Sequence, residues 1–71
     1  MNNYSSESIS LDSIKSRLTI SVEETAQLLG IGRTAAYEAA RRGELPSRRI
    51  GKRIVIPVAL LLKWLGYPTY N

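Results

Sequence analysis

The stretch that decides the fold runs from Ser21 to Gly43 and reads SVEETAQLLGIGRTAAYEAARRG. It opens with a capping box, S-x-x-E, in which the Ser21 hydroxyl accepts from the amide of Glu24 and the Glu24 carboxylate accepts from the amide of Ser21. The apolar positions that follow have helical spacing, and Gly30 has the residue type that ends helices. The pattern therefore predicts a helix that begins at Ser21 and stops at Gly30.

A second helix is predicted after a joint of only two residues, Ile31 and Gly32. Two helices joined so closely cross steeply, which is the helix-turn-helix arrangement, and Ile31 is expected to fill the turn. Four alanines favour a helix from Arg33 to Arg42, and Gly43 ends it. At about 100° per residue, Ala36, Ala39 and Ala40 share the buried side; Thr34, Glu38 and Arg41 point outward, with Tyr37 and Arg42 on the flanks.

A basic hairpin is predicted next. Ser47–Ile50 and Arg53–Ile56 have the composition of short strands around Gly51-Lys52. A two-residue loop would pair Arg49 with Ile54, and a longer loop would shift every partner. The sequence leaves this register open.

The remaining segments flank this unit. A last helix is predicted from Pro57 to Leu65, with Trp64 as the largest core side chain. Residues 1–17 are rich in serine and are expected to form a flexible lead-in, with a short helix after Ser10 or Asp12 as the alternative. The expected division is therefore a lead-in over 1–17, one domain over 18–66 and a short tail over 67–71.

Positive charge is concentrated in the centre of the chain. Ten Lys and Arg residues against six Asp and Glu residues give the 71-residue sequence a net charge of +4. Residues 33–53 alone hold seven cations and two carboxylates, a net charge of +5. Such a cluster is typical of a protein that binds a polyanion.

Composition also excludes several classes of site. Without Cys or His, the chain has no disulfide, thiolate or imidazole metal site and no Ser/Cys–His triad. We expect no catalytic residue, no metal and no cofactor. The polar start MNNYSSESIS does not resemble a signal peptide, and the nine-residue apolar run from Ile54 to Leu62 is too short to span a membrane. A cytoplasmic protein without a membrane partner is expected.

Double-stranded DNA is the polyanion that a helix-turn-helix with a basic ribbon favours, since the major groove admits one helix and Arg suits a narrow minor groove. Each assignment has an alternative. The helix arginines could form a solvated face, and Tyr37 could pack at the rim or donate to a phosphate. For Glu38, a salt bridge with Arg41 or Arg42 is favoured over acceptance from cytosine N4. The ribbon cations could protect an edge strand from aggregation. The predicted contact set is Arg33, Thr34, Tyr37, Glu38, Arg41, Arg42, Arg48, Arg49, Lys52 and Arg53.

From Leu18 to Leu65 the chain resembles the excisionase-type helix-turn-helix family of phages and mobile elements, small relatives of the MerR-type winged-helix domain. The most specific matches are Arg41-Arg42-Gly43-Glu44-Leu45-Pro46, then Arg49-Ile50-Gly51 and Arg53, and the helix end Trp64-Leu65. Further matches are Leu18-Thr19, Ser21-Val22-Glu23-Glu24, Ala26, Leu28-Leu29-Gly30-Ile31, Arg33, Tyr37, Ile56-Pro57 and Leu61.

The resemblance implies a mainly helical fold with a small β-hairpin, the winged helix-turn-helix. It implies helix contacts to the major groove from Arg33, Thr34, Tyr37 and Arg41, and wing contacts to the minor groove from Arg49, Lys52 and Arg53. Gly32 departs from the family, which usually has Ser there and so a stronger helix cap. Glu38, Ala39 and Ala40 stand where the family often has basic or bulky residues.

Three functions remain open at this level. The first is a recombination directionality factor, an excisionase that bends attachment-site DNA in the bacterial host cell. Its further partners, which the resemblance implies, are an integrase and a second copy bound head to tail. The second is a transcriptional regulator of the same fold. The third is an adaptor whose basic face binds an acidic protein.

Overall fold

A computed structural model describes residues 9–68 of the protein. Helices and a small antiparallel sheet alternate along this range, and the architecture confirms a winged helix-turn-helix. No helix in the range is both long and apolar enough to cross a membrane. In chain order the elements are α1 (Leu11–Ile14), β1 (Thr19–Ser21), α2 (Val22–Leu29), α3 (Arg33–Arg42), β2 (Arg48–Ile50), β3 (Arg53–Pro57) and α4 (Val58–Leu65).

The predicted capping box at the start of α2 is confirmed. The Ser21 hydroxyl accepts from the amide of Glu24, and Glu24 Oε1 accepts from the amide of Ser21, both at 2.9 Å. Gly30 ends α2 in the left-handed region with φ of +71°, a conformation that costs glycine little. The start and stop of α2 thus follow from local chemistry.

The prediction that Ile31 fills the turn is wrong, because 41% of Ile31 is exposed. Its backbone amide donates to the carbonyl of Ala26 at 3.0 Å, while the amide of Gly30 donates to that of Gln27 at 3.3 Å. This pair of bonds wraps the backbone around the end of α2. The turn is therefore closed by the main chain, and the Ile31 side chain lies at the surface.

Helix α3 packs against α2 through small side chains. Ala36 and Ala40 are buried and Ala39 is partly buried, as the predicted rotation of the helix requires. Val22 and Ala26 are the buried apolar residues of α2. Alanines at the contact let the two helices approach closely and leave the opposite side of α3 to solvent.

The sheet has three strands in the order β1-β3-β2, all antiparallel. The pairing of Arg49 with Ile54 confirms the two-residue loop, and Gly51 adopts the positive φ, +60°, that this loop requires at its first position. Strand β1 was not predicted. It is only three residues long, and its pairing of Ile20 with Ile56 joins segments that are far apart in sequence.

The packed domain begins before Leu18. Ser10 and Ser13 cap each other's backbone at α1, and Ile14 is completely buried in the core. The expectation of a flexible lead-in is therefore wrong for this stretch, because Ile14 gives it an apolar anchor. Residues 1–8, the rest of that lead-in, and tail residues 69–71 lie outside the described range.

Helix α4 begins at Val58, with Pro57 as its N-cap and as the last residue of β3. The prediction that Trp64 belongs to the core is wrong, since 52% of it is exposed. Val58 and Leu61 set the buried face, and at 100° per residue Trp64 lies a quarter of a turn from its centre. Leu65 lies on that face but ends the helix and is partly exposed.

Substituting Ala36 by Leu should overpack the contact between α2 and α3. We expect a decrease of about 1–3 kcal/mol in the free energy of unfolding, measured by urea denaturation. Ala35→Leu is the matched control, because Ala35 is exposed on the same helix and should change stability little. A neutral Ala36→Leu variant would contradict the tight alanine contact.

Acid should destabilise the domain through Glu24. Its carboxylate accepts from Arg17 Nη1 at 2.7 Å and Nη2 at 3.1 Å, and this guanidinium, followed by the Ser21 amide, lowers the pKa of Glu24. Since the folded pKa lies below the ordinary value of 4.5, the stabilisation is complete above that pH and is lost as the pH falls through the lowered value. Glu24→Gln keeps a capping side chain but should flatten the acid side of a stability–pH curve measured by urea denaturation. An unchanged acid slope would exclude this pair as its source.

Candidate nucleic-acid interface

The side of α3 opposite the alanines carries the predicted helix contacts. Thr34 and Arg41 are exposed, as predicted, and Tyr37 and Glu38 are half-buried. Since the alanines hold the other side against α2, these polar side chains form the accessible face of α3. We refer to Arg33, Thr34, Tyr37, Glu38, Arg41 and Arg42 as the helix face.

Glu38 pairs with two arginines at the C-terminal end of α3. Its carboxylate oxygens lie 3.3 Å from Arg41 Nη2 and 3.6 Å from Arg42 Nη2, the i+3 and i+4 spacings. Arg42 also approaches Glu44 at 3.8 Å. The salt bridge that the sequence favoured for Glu38 is therefore formed. Exposed pairs of this kind contribute at most about 1 kcal/mol, so both guanidinium groups can exchange a carboxylate for a phosphate at small cost.

At the N-terminal end of α3, two predicted contacts converge on a residue of α2. The Tyr37 hydroxyl donates to Glu23 Oε2 at 2.7 Å, and Arg33 Nη2 lies 3.2 Å from the same oxygen. The hydrogen bond from the Tyr37 hydroxyl lowers the pKa of Glu23, and the same bond raises the pKa of Tyr37. The sequence-based predictions assigned Glu23 no role in the contact set. No local pattern marks a pair 14 residues apart across a turn, so this role was missed.

The wing, defined as residues 48–53, carries four cations: Arg48, Arg49, Lys52 and Arg53. Two of them contact backbone carbonyls, with Arg48 Nη1 donating to Ser47 at 3.0 Å and Arg49 Nε to Gly51 at 3.4 Å. No carboxylate among residues 9–68 lies within 4.0 Å of any of the four. The positive charge of the wing is therefore left uncompensated by the part of the chain described.

The strand register distributes the wing cations over both faces of the hairpin. Cross-strand partners project to the same face, and successive residues alternate. Arg48 and Arg53 therefore share one face with Ile50, which is 65% exposed, while Arg49 projects to the other with Ile54. A narrow ribbon with cations on both faces suits a groove with phosphates on both walls.

The helix face and the wing thus differ in how their charge is balanced. The helix arginines pair with Glu23, Glu38 and Glu44, whereas the wing cations have no such partner in the range described. All seven cations of residues 33–53 are exposed. The cationic centre predicted over residues 33–53 is therefore exposed to solvent, and its charge is least compensated at the wing.

Comparison with known proteins identifies the family of the chain. Residues 19–66 match the family model described as a helix-turn-helix domain, which covers more than half of the chain. The chain belongs to the excisionase-type helix-turn-helix family. It is therefore a DNA-binding helix-turn-helix domain of a non-catalytic kind, and its likeness to MerR-type domains in particular stays a prediction.

One relative of this helix-turn-helix protein is a probable excisionase of Saccharopolyspora erythraea. The two are 43% identical over 44 residues, which cover 62% of this chain and 45% of the relative. The chain thus matches less than half the length of that protein. No solved structure matches the chain.

Replacing Lys52 and Arg53 together by Ala should weaken binding to every duplex. Each phosphate contact that the double variant loses should flatten the slope of log K against log salt by about 0.9. Fluorescence anisotropy with two unrelated duplexes over a salt series measures both effects. Lys63→Ala removes an exposed cation of α4, outside the helix face and the wing, and should leave the slope unchanged. An unchanged slope in the double variant would show that the two cations do not contact phosphates.

Proposed function

We propose that the protein is an excisionase of a phage or mobile element. It binds attachment-site DNA with the helix face in the major groove and the wing in the adjacent minor groove. It bends this DNA and so directs an integrase toward excision. No catalytic step belongs to the protein itself.

The observation that carries this proposal is the uncompensated charge of the wing beside the accessible face of α3. Arg48 and Arg53 lie at diagonal positions on one face of the hairpin, where their like charges repel each other unless an anion lies between them. A duplex supplies such anions at regular spacing, and phosphate contacts then hold the helix face in register with the bases. The name of the Saccharopolyspora relative supports the choice of an excisionase among DNA-binding proteins of this fold.

A footprint on the attachment-site DNA of the element that encodes this chain tests the binding step. We expect protection of defined positions in a major groove and the neighbouring minor groove. Excision with the purified integrase of that element tests the outcome, and fluorescence transfer between labelled DNA ends tests the bend. A protein that protects the DNA but neither bends it nor stimulates excision would contradict an excisionase. That result would favour a transcriptional regulator of the same fold.

The salt dependence of binding separates DNA recognition from a protein adaptor. Several phosphate contacts produce a steep log–log slope, about −0.9 for each phosphate on B-DNA. A shallow slope without preference for any duplex would contradict the proposal and favour an acidic protein partner.

Self-association is part of the proposal and is restricted to the DNA-bound state. The described residues contain no long helix that could form a stable dimer. Copies aligned head to tail on repeated sites would meet through the wing and through Leu62 with the tail that begins at Tyr67. Leu62 is half-buried and 47% of Tyr67 is exposed, while tail residues 69–71 lie outside the described range. A tight dimer of the free protein in analytical ultracentrifugation would contradict this arrangement.

A further inference from the structure

Glu23 connects the two helices of the helix-turn-helix at the end of α3 that faces the turn. One carboxylate oxygen, Oε2, accepts from the Tyr37 hydroxyl at 2.7 Å and contacts Arg33 Nη2 at 3.2 Å. Glu23 lies on α2, whereas Arg33 and Tyr37 lie one turn apart on α3. Two side chains of the helix face are therefore held by a residue outside it.

Arg33 and Tyr37 also contact each other. The guanidinium carbon of Arg33 lies 5.9 Å from the centroid of the Tyr37 ring, within the range of a cation–π interaction. Glu23, Arg33 and Tyr37 thus form a closed triad in which each member touches the other two. The side chain of Arg33 is still 72% exposed, so most of its five N–H donors remain accessible.

The position of Arg33 makes a neighbouring carboxylate valuable. Arg33 is the first residue of α3, where a positive charge is disfavoured by the helix dipole. The N-cap, Gly32, has no side chain that could accept from the first amides. Glu23 therefore supplies the negative charge that holds the Arg33 guanidinium at this end of the helix.

The hydrogen bond also limits what Tyr37 can do. A phenol has one hydrogen to donate, and Tyr37 donates it to Glu23, so toward DNA its hydroxyl can only accept. A phosphate oxygen accepts and does not donate, so the contact predicted between the Tyr37 hydroxyl and a phosphate would require this bond to break. Tyr37 with its bond intact acts as a support for Arg33.

We propose that Glu23 is a positioning residue for DNA recognition: it fixes Tyr37 and Arg33 at the entry end of α3 and thereby raises discrimination between target and non-target duplexes. This inference rests on the proposed DNA-binding function. It assigns to an acidic residue a favourable effect on recognition of a polyanion.

Charge and positioning predict different results when Glu23 is replaced. Removal of a carboxylate next to a duplex removes repulsion, which strengthens binding to all sequences alike. Removal of the positioning effect lowers affinity for the target relative to non-target DNA, because an imprecise contact to a base edge discriminates less. The ratio of the two affinities therefore separates the two effects.

The test measures Kd at one salt concentration for attachment-site DNA and for a scrambled duplex of equal length. The variants are Glu23→Met, which keeps the length of the side chain without an oxygen acceptor, Tyr37→Phe and their combination, each checked for folding by circular dichroism and urea denaturation. We expect each single variant to lower the target to non-target ratio roughly 5- to 150-fold, the discrimination of one base-edge contact. We expect the combined variant to lower it no further, because the two residues act as one unit.

Glu44→Gln is the matched control for charge. Glu44 is exposed, and its only ion pair in the described range is the 3.8 Å contact with Arg42. It should strengthen binding to both duplexes by a similar factor and leave the ratio unchanged. If Glu23→Met fails to fold, Tyr37→Phe carries the test, since it keeps the ring and removes only the hydroxyl.

The outcomes distinguish this inference from the proposed function. A wild-type protein that binds both duplexes equally overturns the proposed function and this inference with it. Wild-type discrimination that persists in Glu23→Met, with both affinities raised alike, overturns the inference alone and shows that Glu23 acts by repulsion. Effects that multiply in the combined variant also overturn it, since they show that Tyr37 contacts DNA independently of Glu23.

Discussion

The close contact between α2 and α3 is the constraint on which the other features depend. Ala26 on α2 and Ala36 and Ala40 on α3 are buried there, and each has a side chain of one carbon. Such a contact yields little hydrophobic free energy, since burial scales with the apolar area removed from water. Its value is geometric, because it sets the rotation of α3 and so decides which side chains remain accessible. The larger core residues Ile14, Ile20, Ile56 and Leu61 supply the burial that the alanines do not.

Charge is organised in two ways on the surface that results. At the helix face each arginine has a carboxylate neighbour, so a duplex has to replace contacts that already exist. Exposed ion pairs are weak, and the replacement costs little. None of the carboxylates in residues 9–68 pairs with a wing cation, so an approaching polyanion meets cations that have no carboxylate partner in this range. In the proposed complex, long-range attraction is therefore expected to come from the wing, and sequence preference from the helix face.

Local chemistry allowed much of the fold to be predicted from the sequence. The capping box at Ser21, the stop at Gly30 and the turn at Gly51 each depend on a few adjacent residues, and all three are confirmed. The failures involve residues whose partners are distant. Strand β1 forms because it pairs with β3, and Ile14 is buried because it packs into the core. Trp64 is exposed because Val58 and Leu61 occupy the buried face of α4. The link from Glu23 to Tyr37 likewise required α2 and α3 to be placed. The DNA roles of the ten predicted site residues stay predictions.

Ser21 is both the last residue of β1 and the N-cap of α2, and β1 pairs with β3, which also forms one strand of the wing. No linker therefore separates the sheet from the first helix of the helix-turn-helix, and the distance between α3 and the hairpin tip is built into continuous hydrogen-bonded structure. Hydrogen-bonded continuity of this kind opposes changes in that distance. In the proposed complex, a duplex engaged by both parts has to match this distance, and the energy of deforming its base-pair steps would then contribute to recognition without contact to those bases.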